Sequence, residues 1–311
     1  MTELGFRLTP CNPLFFSSPY PLRIPLSPFK KCLPARLVLQ SLRILYHGPM
    51  KSLKVHFLPL LTSPEELAGG AVVVIDVLRA TTTIIHAVAA GAREVIPCLE
   101  IDEARRAAAN HPPGEALLGG ERGGLKIEGF DLGNSPEEYN RATVGGKTVV
   151  LTTTNGTRAM MLCRQSKRVL IGAFVNASAV ARELMQEERV HLLCAGTEGE
   201  ITREDVLFAG RVADQLLRLA AASEPEQNDP CRIARECYLT VVSAVCSNAE
   251  SAADAPAQET AVLSQELRHS KGGRNLIGVG LEHDIGIAAQ VDRLAIVPEL
   301  SLASWSIGPA I

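Results

Sequence analysis

The stretch from Ala71 to Ala90 constrains the fold of this chain more than any other. It begins with a short valine-rich run, Ala71 to Ile75, which is typical of a strand buried on both faces of a parallel sheet. The run ends in polar side chains that include Asp76 and Arg79, and a helical pattern follows at once. Ligands of open α/β sheets bind where strands end, and free N–H groups at the start of a helix favour anions. The stretch therefore predicts one wall of a phosphate and metal site.

Strand, loop and helix patterns alternate from Met50 onwards. Such alternation predicts an α/β fold with a mixed, largely parallel sheet and helices on both faces. We expect residues 50–221 to form the α/β catalytic core. Residues 222–311 should add a helical segment and a final strand, Arg293 to Val297, to the same domain.

The first 49 residues have a different composition, rich in proline, with six basic side chains and one acidic one. A transit peptide is one interpretation. An upstream extension or a mis-assigned start is favoured, because Met50 begins a natural first strand. We expect disorder in either case.

Composition excludes several classes of protein. No apolar stretch approaches the roughly 18 residues of a membrane-spanning helix. Aromatic residues are only 4% of the 311, and no basic run is interleaved with them, which argues against nucleic-acid binding. The eight cysteines include no C-x-x-C pair, and we interpret them as reduced residues of a cytoplasmic protein. Because the net charge is −3, an anion must be held by local placement of donors.

The segment DVLRATTT, Asp76 to Thr83, carries the first candidate site residues. Asp76 is a candidate magnesium ligand and catalytic group, since Mg²⁺ favours one or two carboxylates plus waters and phosphate. Arg79 is a candidate phosphate-binding residue, and Thr81 and Thr82 are candidate hydrogen-bond donors to the phosphate. The alternative is that a threonine only caps the helix and that Asp76 only accepts hydrogen bonds at the strand end.

Residues 119–136, GGERGGLKIEGFDLGNSP, contain many glycines and too few hydrophobic residues to predict a regular element. Glu121 is a candidate catalytic residue, and Arg122 and Lys126 are candidate substrate anchors. An internal salt bridge is an equally good interpretation of the acidic and basic side chains. Ser135 matches a helix-capping signature with Glu138, which favours a structural role.

TTTNGT, Thr152 to Thr157, places hydroxyls, an amide and a glycine at a strand-to-helix turn and could bind an anion. A capped turn is the alternative, and the absence of a P-loop lysine excludes a Walker motif. The candidate substrate-binding residues here are Thr153, Thr154, Asn155, Gly156 and Arg158.

CAGTEGEITRED, Cys194 to Asp205, adds two more carboxylates. Glu204 and Asp205 are candidate metal ligands together with Asp76, and Asp205 is also a candidate catalytic residue. The spacing of Thr202 and Asp205 equally fits a capping box. Cys194 is a poor candidate nucleophile, because no phosphate-binding loop with a closing arginine accompanies it.

The chain resembles the 2-phosphosulfolactate phosphatase family over about residues 50–297. The resemblance rests on five motifs that occur in this order: DVLRATTT, GGERGG, GFDLGNSP, TTTNGT and CAGT-x-G-x-x-T-x-ED. HSKGGRNLIGVGLEHD resembles the family's closing segment more loosely. The resemblance implies a family-specific α/β fold and Mg²⁺-dependent hydrolysis of (R)-2-phospho-3-sulfolactate to 3-sulfolactate and phosphate, as in coenzyme M biosynthesis.

Other functions remain open beside that resemblance. A phosphatase of another small phospho-hydroxy acid would use the same site, and a non-catalytic anion-binding protein could have the same fold. The expected partner is a small anionic phospho-acid, with neither nucleic acid nor membrane. A homodimer is the commonest oligomer for such a chain.

Overall fold

Strands and helices alternate along the chain in the computed structural model, which describes residues 50–220, 224–246 and 255–310. The predicted extension at residues 1–49 lies outside the described residues. The strands are β1 Ser52–His56, β2 Ala71–Ile75, β3 Glu94–Cys98, β4 Ala116–Arg122, β5 Leu125–Lys126, β6 Thr148–Thr152, β7 Arg168–Gly172, β8 Arg189–Cys194, β9 Glu226–Gln227, β10 Pro298–Ser301 and β11 Ser306–Pro309. The helices are α1 Pro64–Leu67, α2 Ala80–Ala89, α3 Ile101–Ala109, α4 Arg141–Val144, α5 Asn155–Leu162, α6 Ala177–Leu184, α7 Arg203–Leu219, α8 Asp229–Cys246, α9 Ala255–His269, α10 Lys271–Gly278 and α11 His283–Ala288.

The strands form one sheet in the order β5-β4-β6-β3-β11-β10-β7-β2-β8-β1-β9. Strands β7, β2, β8 and β1 run parallel to one another, and so do β3, β6 and β4. The antiparallel hairpin β10–β11 joins these two parallel groups. The predicted mixed, largely parallel sheet is therefore confirmed, and the carboxyl ends within each parallel group lie at one edge.

Strand β2 lies between β7 and β8, and all five of its residues are buried. Val73 and Ile75 belong to the core on one face of the sheet, and Val72 and Val74 to the core on the other. Helix α7 contributes to the first core and α2 to the second. Both faces are thus covered by helices, which explains why β2 is apolar throughout rather than alternating.

The glycine-rich segment contains more regular structure than the sequence predicted. Strand β4 continues through Gly119 and Gly120 to Arg122 and forms a hairpin with β5. An added Cβ on Gly119 would collide with Tyr139, and Gly120 has a φ of +147°. The glycines are needed by a crowded strand rather than by an irregular loop.

The prediction of a final strand at Arg293 to Val297 is wrong, because the last strands are β10 and β11. Leu294 and Ile296 do pack on the core, which explains the misleading pattern. Their backbone bonds go elsewhere: Leu294 N donates to Val175 O, and Ile296 O accepts from the Asn176 side chain. Within the described ranges, no helix combines the length and apolar content needed to cross a membrane.

Candidate active site

Asp76 lies immediately after β2 and is 7% exposed. Its backbone N–H donates to Thr81 Oγ1 at 3.1 Å, and its Oδ1 accepts from Ala80 N at 3.3 Å. The turn between β2 and α2 therefore folds around this residue and holds its carboxyl group at the carboxyl edge of the central strand.

The start of α5 approaches the same carboxyl group from the neighbouring TTTNGT segment. An ideal Cβ on Gly156 would lie 3.0 Å from Asp76 Oδ2 and 3.0 Å from Ala80 Cβ. The Gly156 N–H acts as a donor to Asp76 and lowers its pKa. Glycine at this position allows the start of a helix to approach the end of β2 closely.

Asp205 lies in the first turn of α7 and is 2% exposed. Its Oδ1 accepts from Val77 N at 2.9 Å, and its Oδ2 accepts from Gly196 N at 3.0 Å. The capping-box interpretation of Thr202 and Asp205 is wrong, because Thr202 makes no side-chain cap bond. The carboxylate instead satisfies two backbone amides that follow β2 and β8.

Glu204 is 1% exposed, and a glycine of α10 orients its carboxyl group. Gly272 N donates to Glu204 Oε1 at 3.1 Å. The other oxygen, Oε2, is buried and has no hydrogen-bond partner among the described residues. A buried acceptor without a partner carries the full cost of its desolvation, which makes this atom a candidate ligand position.

Burial raises the pKa of all three acids. The pKa of Asp76 rises to about 7 through burial, opposed by the Ala80 amide and reinforced by the charges of Glu121 and Glu204. Burial and the charges of Glu204 and Asp76 raise the pKa of Asp205 well above its ordinary value. The pKa of Glu204 is also raised, chiefly by burial. A bound cation would therefore favour the ionised form of this cluster.

Asp76, Glu204 and Asp205 carry carboxylate oxygens, the donor type that Mg²⁺ prefers, and the charge of Arg274 only partly offsets that of Glu204. Among the described residues, no group of three or more His, Cys, Asp or Glu side chains has the arrangement of a metal cage. Mg²⁺ usually keeps several waters and uses one or two carboxylates, so a pair of acids is sufficient. The unpartnered Oε2 of Glu204 makes Glu204 and Asp76 the best such pair.

Arg79 lies close to this cluster in sequence, but its guanidinium group already has partners. Nη1 contacts Asp284 Oδ2 at 2.7 Å, and Nη2 donates to Gly124 O at 2.7 Å. Both side chains of the ion pair are almost fully buried. The Arg79 guanidinium, which the sequence predicted to bind phosphate, is thus held between α11 and the β4–β5 hairpin.

The threonines of the first segment are buried and take part in internal hydrogen bonds. Thr81 Oγ1 accepts from Asp76 N, and Thr82 Oγ1 donates to Val77 O at 2.8 Å. Thr83 Oγ1 donates to Asn134 O at 2.8 Å. In the TTTNGT segment, the Thr153 and Thr157 hydroxyls pair with each other at 3.1 Å.

Thr152 was missed as a candidate, although its hydroxyl is buried without a partner among the described residues. It ends β6, directly before the threonines that the sequence singled out. Thr154 and Asn155 follow half-buried at the start of α5. An apolar strand pattern ending in a hydroxyl was the available signal.

Two neighbouring residues of the β4–β5 hairpin, Glu121 and Arg122, differ in their relation to the acidic cluster. Glu121 contributes negative charge at Asp76, and its Oε2 accepts from Gly124 N at 2.8 Å. Arg122 donates to Leu99 O and Glu121 O, so the predicted internal salt bridge to an acid is replaced by carbonyl contacts.

Lys126 and Arg158 are exposed, whereas the three acids are buried. Arg122 and Lys126 line an open cleft of about 850 Å³ together with Arg105 and Arg106. The three buried acids do not line it. Arg122 and Lys126 thus belong to a cleft that the acidic cluster does not line.

The capping prediction for Ser135 is also wrong. Pro136–Glu138 forms a 3₁₀ turn without a side-chain cap bond. Ser135 Oγ donates instead to Asp284 Oδ1 at 2.6 Å. Asp284 is a second residue that the sequence did not single out, because its partners are far away in the chain.

The fold and site together are those of an α/β protein with a buried acidic cluster at the end of its central strand. A sequence model of the 2-phosphosulpholactate phosphatase family matches residues 57–302. A probable 2-phosphosulfolactate phosphatase of Symbiobacterium thermophilum is 40% identical over 236 residues, covering 75% of this chain and 92% of the relative. A protein of the same description from Caldanaerobacter subterraneus subsp. tengcongensis is 37% identical over 237 residues, covering 76% and 90%. The chain belongs to the 2-phosphosulfolactate phosphatase family.

Proposed function

We propose that this protein hydrolyses the phosphate monoester of (R)-2-phospho-3-sulfolactate to 3-sulfolactate and phosphate. The observation that carries the proposal is the buried cluster of Asp76, Glu204 and Asp205, with one carboxylate oxygen unpartnered, beside the start of α5. Membership of the family supports the substrate. A reaction of the type used in coenzyme M biosynthesis is the expected context.

Mg²⁺ is the proposed cofactor, with Asp76 and Glu204 as the side chains that would hold it and Asp205 beside them. When bound, it supplies positive charge that neutralises the phosphoryl oxygens and makes phosphorus more electrophilic. The raised pKa values and the unpartnered oxygen of Glu204 support this choice.

The protein's own groups would position the ester. Arg79 and the amide of Asn155 would hold the phosphate, so that the leaving oxygen lies in line with a water. Glu121 or Asp205 would orient that water and accept its proton as the bond between phosphorus and the ester oxygen on C2 of the sulfolactate breaks. The departing alkoxide takes up a proton and leaves as the hydroxyl of 3-sulfolactate.

A covalent route through Asp76 is an alternative for the same residues. Its carboxylate would attack phosphorus, and water would then hydrolyse the resulting acyl phosphate. Rapid-quench labelling with ³²P-labelled substrate distinguishes the routes. Acid-stable labelled protein that disappears on Asp76→Asn substitution indicates the covalent one.

Phosphate release by the purified full chain tests the proposal. We expect release from 2-phospho-3-sulfolactate with Mg²⁺, loss with EDTA and recovery on adding Mg²⁺ back. Asp76→Asn should lower kcat by at least about a hundredfold. Asp102→Asn is a matched control, since Asp102 is an exposed acid on α3. Wild-type activity in Asp76→Asn would refute the assigned role.

A substrate panel separates the remaining candidates. 2-Phospholactate lacks the sulfonate and should react with a kcat/KM about a hundredfold lower, because the polar groups meant for the sulfonate would lose their partner. Equal rates would favour a phosphatase of another small phospho-hydroxy acid. Phosphate binding without release from any of these esters would favour an anion-binding protein.

A cytoplasmic location and a homodimer complete the proposal. The cysteines resolved as free thiols include buried Cys98, Cys163 and Cys194, which suits a reducing compartment. Leu60 and Leu61 are 75% and 70% exposed and offer apolar surface to a second copy. Light scattering at several concentrations measures the oligomer.

A further inference from the structure

A buried ion pair joins the β2–α2 turn to the last helix, across 205 residues of sequence. Arg79 Nη1 and Asp284 Oδ2 are 2.7 Å apart, and their side chains are 3% and 0% exposed. Burying two charges costs more than a well-packed apolar pair of the same size would. Stability alone therefore does not explain this pair.

Asp284 also gathers donors from other segments of the site. Its Oδ1 accepts from Ser135 Oγ at 2.6 Å and contacts His283 Nε2 at 3.1 Å. Arg79 in turn donates to Gly124 O of the β4–β5 hairpin. One carboxylate thus connects the DVLRATTT, GGERGG and GFDLGNSP segments.

These contacts determine how the Arg79 guanidinium is oriented. Guanidinium is planar and has five N–H donors in a fixed fork. Asp284 and Gly124 bind one hydrogen on each Nη, which fixes the plane of the group. The remaining N–H groups of Arg79 therefore have fixed directions before any ligand binds. Such prior orientation lowers the entropic cost of anion binding.

We propose that Asp284 is a positioning residue, which orients the Arg79 guanidinium toward the phosphate group of the substrate. This inference rests on the proposed function for the assignment of the anion as a phosphate ester. Asp284 acts through Arg79, with Ser135 holding its other oxygen, and does not itself contact the substrate.

Calorimetric titration with inorganic phosphate in the presence of Mg²⁺ tests the inference without turnover. We expect Asp284→Asn to bind phosphate about tenfold more weakly than the wild type, because a neutral amide holds the guanidinium less firmly than a carboxylate. In an Arg79→Ala background, Asp284→Asn should cause no further loss, since a residue that acts through Arg79 has nothing left to position.

Two more variants keep the test informative if Asp284→Asn folds poorly. Ser135→Ala removes one donor to Asp284 and leaves both charges, and should weaken phosphate binding about fivefold. Glu282→Gln is the matched control, an exposed acid two residues away whose salt bridge is with Arg268, and should bind phosphate as the wild type does.

The inference is overturned by unchanged phosphate binding in Asp284→Asn, by an equal further loss in the Arg79→Ala background, or by absence of phosphate binding in the wild type. Failure of the proposed function gives a different result. In that case phosphate binds and responds to Asp284, but 2-phospho-3-sulfolactate is not hydrolysed.

Discussion

Gly272 is the position at which one added methyl group most directly tests the acidic cluster. It is the second residue of α10, and its N–H donates to Glu204 Oε1. An ideal Cβ there would overlap Glu204 Oε1 and lie 3.0 Å from Leu78 Cβ. Gly272→Ala therefore forces the Glu204 carboxyl group away from its present position.

The expected size of the effect follows from two opposing contributions. Alanine in a helix is favoured over glycine by roughly 0.5–1 kcal/mol. Overpacking a buried contact costs about 1–3 kcal/mol. We expect a net loss of about 1 kcal/mol in the free energy of unfolding. If Glu204 holds the metal, its displacement should also weaken Mg²⁺ affinity by about 10- to 100-fold, as for other changes to groups that orient ligands.

Gly278→Ala is the matched control in the same helix. Gly278 is the last residue of α10, and nothing lies within 4 Å of its ideal Cβ. Alanine there should leave Mg²⁺ affinity unchanged and stabilise the protein by up to about 1 kcal/mol.

Urea unfolding with EDTA measures the packing effect, and Mg²⁺ titration followed by thermal stability measures the metal effect. Neither measurement requires turnover. The reasoning would be refuted if Gly272→Ala matched Gly278→Ala in both stability and Mg²⁺ midpoint. A loss of stability without any change in Mg²⁺ midpoint would remove Glu204 from the metal site and leave the packing argument intact.

Three further predictions concern buried polar groups. In EDTA at pH 8, Asp76→Asn should raise the free energy of unfolding by about 1 kcal/mol or more, since it removes a charge from a desolvated acidic cluster. In Mg²⁺, urea titration should instead show that the wild type is more stable than Asp76→Asn. Burial lowers the pKa of His191 to about 4, with His56 Nε2 3.0 Å from His191 Nδ1, so the folded protein holds fewer protons than the unfolded chain between pH 6.5 and 4. The His191 contribution to stability should therefore fall by at most about 3 kcal/mol as pH drops through that window, whereas the acids with raised pKa values contribute in the opposite direction. The difference between the pH profiles of the wild type and His191→Gln isolates the His191 contribution. Thr152→Val should leave stability equal or up to about 1 kcal/mol higher and raise KM, because the buried hydroxyl has no partner among the described residues; unchanged KM would contradict a role in binding.

The sheet edge was predictable because its signal is local. A short apolar run that ends in an acid specifies both a buried strand and the position of its polar end, and this holds for Asp76. The structure brings Glu204 and Asp205 to the same edge, since β8 pairs directly with β2. The mixed, largely parallel sheet followed from the same alternation and is confirmed.

The errors arose where a local pattern competes with distant partners. Ser135 and Thr202 both match capping signatures, yet Ser135 bonds to Asp284 and Asp205 bonds to amides after β2 and β8. Capping contributes about 1 kcal/mol, which a buried amide or carboxylate in need of a partner can outweigh. A spacing of three residues cannot reveal such long-range demands, and Asp284 was missed for the same reason.

The charges around the site argue that substrate and metal bind together. The implied substrate carries phosphate, sulfonate and carboxylate, whereas Asp76, Glu204 and Asp205 are acids. Arg79 is the basic side chain nearest to Asp76 in sequence, and Asp284 already balances its charge. Two sets of negative charge in a buried site repel strongly, because the local dielectric is low. A divalent cation between them reverses the sign of that interaction, so we expect inorganic phosphate to bind at least tenfold more weakly in EDTA than with Mg²⁺. Equal affinity in the two conditions would mean that the anion is held away from the acids, in the cleft lined by Arg122 and Lys126.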